Sequence, residues 1–396
     1  MKVEIIDTAY GGYGIAKDGK IIFVAHSVEG DVVDISIKKE NKNFCYANIN
    51  NIIEPSKYRI KAKCKYAGIC GGCVFNHIEY NKQLEIKKHI VLNSIRNIEY
   101  NNDIKIIKSP NEHYRLRVNI IAQNGNVGFY KFNTNEFVNI DECIILKEKL
   151  FDKIKKFSKH NNITGSIYSI ESNNGKILSF ADILKQQNKN IDISYFDGIT
   201  IRQKKKIKTY GIDKTNYNTY FGEVPLSHKS FFQSNHYLLD EFQKNAVKYF
   251  NEDDKNIVEL YAGSGFFTIA IKNKLESLNI NYKLVSSEIS CDSVNIAKDI
   301  MKIIKEDAND TLKKINYNIN ALFVDPPRDG LDKKVIENII RIKPKKIIYI
   351  SCNPMTFARD VNLLKEYYQL IELNIIDMFP DTYHIELISC LKLIIK

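Results

Sequence analysis

The chain has 396 residues, of which 44% are hydrophobic and 27% are charged, and its formal net charge is +11. This length accommodates two or three domains, and the composition is that of an ordinary globular protein. Apolar runs fall short of the ~18 residues that span a membrane, and Met1–Ile6 alternates like a strand rather than a secretory leader. We therefore expect a cytoplasmic protein without a membrane partner, and a monomer by default. The positive charge favours a polyanionic partner, usually nucleic acid, although a solvated lysine-rich surface is the alternative.

Residues 1–56 have the pattern of a small all-β module. Short apolar-rich segments recur at Val3–Ile6, Lys20–Val24, Val32–Lys38 and Cys45–Ile53, and glycine-containing turns separate them. Short strands of this kind predict a barrel like the OB fold, which frequently binds nucleic acid.

Residues 57–222 combine a cysteine cluster, a helical pattern over Glu79–Ile98 and several strand patterns, and the pattern does not predict their topology. Strands are predicted at Arg115–Gln123, Val127–Lys131, Ser166–Glu171, Ile177–Phe180 and Ile199–Arg202.

Residues 223–396 alternate between strand and helix patterns. The predicted strands are Asn256–Tyr261, Lys283–Glu288, Ala321–Val324, Lys346–Ile350, Tyr368–Asp377 and Glu386–Ile394. This alternation predicts a doubly wound, Rossmann-like domain with its ligand at the carboxyl ends of the strands. The whole chain is thus predicted to be a multidomain α/β protein.

The cysteine cluster holds three thiols within ten residues, Cys64, Cys70 and Cys73, with two glycines before the last. In a cytoplasmic protein such spacing favours a metal centre over disulfides. Zinc ribbons have two Cys-x-x-Cys pairs and this chain has one, so a [4Fe-4S] cluster is favoured over zinc. Cys143 is the best fourth ligand, and Cys45 is the alternative.

A glycine loop, Tyr261-Ala262-Gly263-Ser264-Gly265, follows a predicted strand and opens a helix. Thr268 stands where a dinucleotide fingerprint has its third glycine, which favours a smaller adenosine ligand such as S-adenosylmethionine. Glu288, at the end of the next strand, is placed to accept both ribose hydroxyls. Asp325, in Asp325-Pro326-Pro327-Arg328, ends a further strand and is expected to line the same pocket.

Cys352 lies in Ser351-Cys352-Asn353-Pro354, between a predicted strand and a helical pattern. Asn353 can cap that helix and Pro354 fits its first turn. A thiol at a helix N-terminus has its pKa lowered by about one unit. The residue is a candidate nucleophile, and a buried apolar cysteine is the alternative interpretation.

Taken together, the cysteine cluster, the glycine loop, Asp-Pro-Pro-Arg, Ser-Cys-Asn-Pro and the closing segment Phe379–Glu386 resemble the RNA uracil-5-methyltransferases. The N-terminal module resembles the TRAM domain of the members that act on ribosomal RNA. The resemblance implies Cys352 as nucleophile and Glu386 as general base. It implies Gln233, Tyr261, Glu288 and Asp325 at S-adenosylmethionine, and Cys64, Cys70, Cys73 and Cys143 as ligands of a [4Fe-4S] cluster.

The implied activity is methylation of carbon 5 of a uridine in RNA through a cysteine adduct at carbon 6. Large-subunit (23S) ribosomal RNA is the expected substrate and transfer RNA the alternative. A cytosine-5 RNA methyltransferase and an inactive iron–sulfur RNA-binding protein are the competing interpretations. The presence of both Cys352 and Glu386 argues against the inactive protein.

Overall fold

In the computed structural model, which describes residues 1–186 and 190–394, the α/β class predicted from the sequence is confirmed. Contacts divide the chain into two units. The first comprises Met1–Ser94, Gly128–Ile140 and Phe379–Ile385, and the second comprises Ile95–Val127, Asp141–Met378 and Glu386–Lys396. These units follow other boundaries than the predicted domains 1–56, 57–222 and 223–396, which stay a prediction. No helix of the described chain is long and apolar enough to cross a membrane.

The elements begin as all-β and end as alternating β and α. The first are β1 Lys2–Glu4, β2 Asp7–Ala9, β3 Tyr13–Asp18, β4 Lys20–Ala25, β5 Val32–Glu40, β6 Phe44–Glu54, α1 Tyr80–Ser94, β7 Lys105–Ile107, β8 Arg117–Gln123, β9 Asn126–Tyr130, β10 Phe137–Asn139, α2 Glu148–Asn161, β11 Thr164–Glu171, β12 Ile177–Lys185 and β13 Gly198–Gln203. The later ones are β14 Lys206–Gly211, β15 Thr215–Thr219, β16 Gly222–Leu226, α3 Leu239–Val247, β17 Asn256–Leu260, α4 Phe266–Ser277, β18 Lys283–Glu288, α5 Cys291–Ala297, β19 Ile304–Lys305, α6 Ala308–Lys313, β20 Ala321–Val324, α7 Lys333–Ile342, β21 Lys346–Ser351, α8 Pro354–Leu364, β22 Tyr368–Ile376 and β23 Glu386–Leu393.

The first unit contains a six-stranded sheet in the order β1-β5-β6-β4-β3-β2. The long strands β5 and β6 pair with three register shifts, and such bulges bend a sheet. Alternate side chains point to one side and form its core, which includes Val24, Val33, Ile35 and Cys45. Cys45, the alternative metal ligand, is therefore part of this apolar core.

Within the first unit, helix α1 holds the segment Phe379–Ile385. Gln83 donates through Nε2 to Asp381 Oδ1 at 2.8 Å and accepts from the Asp381 backbone N–H at 2.9 Å. The fully buried Lys87 donates through Nζ to the Phe379 carbonyl at 2.9 Å. A buried ammonium costs much free energy unless it is hydrogen-bonded, so these contacts fix the segment against the helix.

The second unit is built on an eight-stranded sheet in the order β19-β18-β17-β20-β21-β23-β22-β7. Strands β18, β17, β20 and β21 are parallel neighbours, whereas β23 lies antiparallel between β21 and β22. The predicted strands of residues 223–396 are confirmed to within a few residues. Helix α1 ends at Ser94, a few residues before the predicted end near Ile98.

The turn from β17 into α4 contains two glycines in the left-handed region, Gly263 at φ 56° and Gly265 at φ 91°. A Cβ atom on Gly265 would lie 1.9 Å from Sδ of Met301, whereas nothing lies within 4 Å of one on Gly263. Gly265 thus meets both a backbone and a packing requirement, and Gly263 meets the backbone requirement alone.

We expect Gly265→Ala to lower the thermal stability of the second unit more than Gly263→Ala does. Each substitution costs about 1–2 kcal/mol of backbone strain, and only the first adds a clash with Met301. Calorimetric unfolding of both variants measures the difference. Adding Met301→Ala to Gly265→Ala should recover the stability lost to the clash but not the stability lost to backbone strain. Equal losses of stability in Gly263→Ala and Gly265→Ala would contradict this account.

Candidate active site

The carboxyl ends of three parallel strands place their last or following residues at one edge of the large sheet. Leu260 of β17 pairs with Ser287 of β18 and with Val324 of β20. Because these strands are in step, Tyr261, Glu288 and Asp325 come next at the same edge. The structure therefore brings together three of the four residues predicted at the cofactor.

Glu288 is fixed by the glycine loop that faces it. Its Oε2 accepts the Gly263 backbone N–H at 2.9 Å, and its Oε1 accepts that of Ser290 at 2.7 Å. Tyr261 begins the loop with φ 61°, a left-handed conformation that turns the chain sharply after the strand. Each carboxylate oxygen can accept a second hydrogen bond, so Glu288 keeps capacity for the hydroxyls of a ligand.

Gln233, the fourth residue predicted at the cofactor, is buried, and the residues that follow it are hydrogen-bonded to two neighbouring segments. Asn235 donates through Nδ2 to Ser109 Oγ at 2.8 Å and to the Met378 carbonyl at 3.3 Å. Arg117 donates through Nε to Ser234 Oγ at 2.8 Å. The segment is thus held between the start of β8 and the end of β22.

Two buried polar residues of the second unit, Ser287 and His228, were not singled out from the sequence. The hydroxyl of Ser287, one residue before Glu288, and both ring nitrogens of His228 have no hydrogen-bond partner among the described residues. Burial lowers the pKa of His228 to about 4, with Lys229 lowering it further and Asp213 and Asp292 opposing. Unpaired buried polar atoms cost about 1–3 kcal/mol each. Nothing in the sequence pattern distinguishes these residues from ordinary core residues.

Glu386 lies across from Cys352 because of the pairing between β21 and β23. The antiparallel ladder ends with Ser351 paired to Leu387, so Cys352 and Glu386 are the residues next to that last pair. Glu386 is also the first of the charged groups that act on the Cys352 thiol. Glu386 is buried, and Cys352 is half-buried. The structure thus brings the two predicted catalytic residues together.

The cap predicted for the helix after Cys352 is confirmed. Asn353 precedes α8, its Oδ1 accepts the Met355 backbone N–H at 3.0 Å, and Pro354 occupies the first turn. Its Nδ2 also donates to the Arg328 carbonyl at 3.1 Å, which links this helix to the Asp-Pro-Pro-Arg segment.

Burial and neighbouring carboxylates dominate the electrostatics of the site. Burial first, and then Glu386 and Asp325, raise the pKa of Cys352 to about 12, while Arg328 opposes them. Burial likewise raises the pKa of Glu386 well above its ordinary value, with Asp325 adding and Arg328 opposing. Desolvation outweighs the helix dipole, so the expectation of a lowered thiol pKa is wrong for the protein groups alone.

Asp325 belongs to the same charge cluster. Burial raises its pKa to about 8, and Glu259 and Glu288 add to the effect. Glu259 is itself buried, with its pKa raised to about 7, and accepts the hydroxyls of Thr268 at 2.7 Å and Ser286 at 2.6 Å. Several carboxyl groups therefore share one poorly solvated edge, and this arrangement favours a cationic ligand.

The predicted cluster ligands Cys64, Cys70 and Cys73 lie in a half-exposed loop of the first unit, and Cys143 belongs to the second. Burial raises the pKa of Cys70, the Gly72 N–H lowers it, and the neighbouring Cys64 raises it. Gly71 lets the loop approach β9, since a Cβ there would lie 2.9 Å from the Phe132 backbone. Across residues 1–186 and 190–394, no three His, Cys, Asp or Glu side chains are grouped to hold a metal ion. The cluster therefore enters no step of the reaction below.

Comparisons with known proteins show what this chain is similar to. A family model described as tRNA (Uracil-5-)-methyltransferase matches residues 306–393, the part that contains Asp325, Cys352 and Glu386. A protein named "Uncharacterized RNA methyltransferase" from Aquifex aeolicus (strain VF5) is 31% identical over 420 residues, covering 99% of this chain and 98% of that protein. A protein of similar name from Nanoarchaeum equitans (strain Kin4-M) is 30% identical, covering 99% of this chain and 93% of its own length.

A solved structure shows the same fold over nearly the whole chain. The crystal structure of Pyrococcus abyssi tRNA (uracil-54, C5)-methyltransferase in complex with S-adenosyl-L-homocysteine has a TM-score of 0.76 and 22% sequence identity. The match covers 98% of this chain and 99% of the other. With the full-length similarity to the Aquifex protein and the family match over the catalytic region, this chain belongs to the RNA uracil-5-methyltransferase family.

Proposed function

We propose that this protein transfers a methyl group from S-adenosylmethionine to carbon 5 of a uridine in RNA through a covalent adduct on Cys352. The observation that carries the proposal is the placement of Glu386 across from Cys352 at the sheet edge that also holds Glu288 and Asp325. A nucleophile, a base and a binding edge for an adenosine ligand are the parts that this reaction requires.

The reaction needs the nucleophile because carbon 5 of uracil reacts poorly with a methyl donor. The Cys352 thiolate forms a bond to carbon 6, and the electron pair of the 5,6 double bond moves onto carbon 5 and oxygen 4 as an enolate. S-adenosylmethionine supplies an electrophilic methyl group on a positively charged sulfur, which leaves as the neutral thioether. Glu386 then takes the proton from carbon 5, the double bond re-forms, and Cys352 departs as thiolate.

Gln233, Tyr261, Glu288 and Asp325 are proposed to bind the donor. Glu288 would accept the ribose hydroxyls with the capacity left on its two oxygens. The raised pKa values of Asp325 and Glu386 support a cationic donor here, because the sulfonium charge compensates the repulsion between carboxylates.

Cys352→Ala and Glu386→Gln should stop turnover at different steps. Without the thiol no adduct forms, whereas without the base the methylated uridine stays attached to Cys352. With methyl-labelled donor and substrate RNA, Glu386→Gln should accumulate labelled RNA–protein adduct that survives denaturing electrophoresis, and Cys352→Ala should give none. Cys291→Ala, which changes an exposed cysteine, is the matched control. Full methylation by Cys352→Ala would refute the mechanism.

We propose 23S ribosomal RNA as the substrate, on the pattern of the N-terminal module. Transfer RNA is the second candidate, which the names of the matching family model and of the Pyrococcus enzyme favour. Unmodified ribosomal and transfer RNA offered together with labelled donor distinguish the two. We expect the label in 5-methyluridine of 23S ribosomal RNA, and label in transfer RNA alone would keep the chemistry and overturn the substrate.

A [4Fe-4S] cluster on Cys64, Cys70, Cys73 and Cys143 stays a proposal that rests on spacing and on the family. Its support in the structure is the closeness of Cys64 to Cys70. Anaerobic purification should give a protein with about four irons and the absorption of a cluster near 400 nm, both lost in Cys70→Ser and kept in Cys291→Ser. Colourless, iron-free protein after anaerobic reconstitution, or zinc in its place, would refute it.

A further inference from the structure

Helix α8 holds the loop that carries Arg328. Two side chains of its N-terminal end donate to the Arg328 carbonyl: Asn353 through Nδ2 at 3.1 Å and Thr356 through Oγ1 at 3.0 Å. Asn353 is the residue that follows Cys352. The backbone of Arg328 is therefore held by the residue that directly follows the proposed nucleophile.

The remainder of the loop is fastened to the same helix. The fully buried Asp360 accepts the Leu331 backbone N–H at 2.7 Å and the Tyr349 hydroxyl at 2.6 Å through Oδ2. Arg359 donates through Nη2 to the carbonyl of Asp329 at 2.8 Å. Three of the four residues 328 to 331 are thus hydrogen-bonded to about two turns of helix, which is more than a solvated surface turn requires.

Gly330 shows how closely the loop and the helix approach. It has φ 75°, and a Cβ there would lie 2.4 Å from Asp360 Oδ2 and 2.8 Å from Arg359 Nη2. The loop cannot move off the helix without breaking these contacts, so the position of Arg328 is set by α8.

The charges that face Cys352 come from three elements. Glu386 begins β23, Asp325 follows β20, and Arg328 follows Asp325 in the fastened loop. The two carboxyls oppose a thiolate at Cys352, and the guanidinium favours it. Asp325 raises the pKa of Glu386, and the same guanidinium lowers it. One cation therefore acts on both groups that the proposed reaction must ionise.

We propose that Arg328 is the charge partner of the Cys352 thiolate, held in place by helix α8. The inference rests on the proposed function in that it gives Cys352 the role of nucleophile. Arg328 acts through Cys352 and is a positioning residue in this sense. Its backbone is anchored while its side chain is exposed, so docked RNA would exclude water and strengthen its effect on the thiolate.

The test measures thiolate formation without any methyl transfer. Protein without RNA or donor is treated with iodoacetamide at a series of pH values, and alkylation of the Cys352 and Cys291 peptides is followed by mass spectrometry. Below the thiol pKa the rate follows the thiolate fraction, so half to one pKa unit gives about a three- to tenfold change. We expect Arg328→Met to slow Cys352 alkylation by roughly this factor at each pH, with Cys291 unchanged as the internal reference.

Two further variants separate charge from folding. Arg328→Lys keeps the positive charge and should keep most of the Cys352 reactivity. Thr356→Val removes one hydrogen bond between the helix and the loop and should give an intermediate loss of Cys352 reactivity. Arg202→Ala, which removes a surface arginine paired with Asp182, is the matched charge control and should change nothing. Wild-type alkylation of Cys352 in Arg328→Met would overturn the inference, and a raised KM for RNA in that variant would assign Arg328 to RNA binding instead.

This result is distinguishable from failure of the proposed function. If Cys352→Ala still methylates RNA, the mechanism fails while the alkylation rates still report the charge at position 328. If Glu386→Gln accumulates adduct but Arg328→Met leaves thiol reactivity unchanged, the mechanism stands and the role of Arg328 falls.

Discussion

The antiparallel insertion of β23 between β21 and β22 is the constraint on which the candidate site depends. In a wholly parallel sheet, every strand would present its carboxyl end at the binding edge, and Glu386, at the start of its strand, would lie at the opposite edge. Because β23 runs the other way, its first residue meets the end of β21, and Glu386 faces Cys352. Two residues separated by 34 positions in sequence thus lie next to the last pair of one ladder, whose geometry is fixed by the hydrogen bonds of two largely buried strands.

This placement has an electrostatic cost. Glu386, Asp325 and Glu259 gather where solvent is scarce, and the protein groups alone favour neutral acids and a neutral thiol. A positively charged methyl donor changes that balance, because it brings a cation into a cluster of carboxyls.

The sequence predicted the strands that end at Leu260, Glu288, Val324 and Ser351, since each buried parallel strand is a short apolar run. It also predicted the cap at Asn353, which is a local property of the residues on either side. It missed β7, whose three residues are too short for a periodic signal and pair only with the distant β22. It also predicted the wrong direction for the pKa of Cys352. The dipole of α8 can be read from neighbouring residues, whereas the burial and the facing carboxyls come from strands far away in sequence.

The same reasoning explains why Asn353 is more than a cap. A serine or an ionised aspartate at this position would also accept the Met355 N–H. Neither side chain has the amide N–H that Asn353 donates to the Arg328 carbonyl. One side chain therefore starts the helix behind Cys352 and fastens the loop beside it. Cys352 and Arg328 are therefore connected through an amide whose oxygen and nitrogen bind different segments. Their relative position is set by the start of a single helix rather than by the flexibility of two loops.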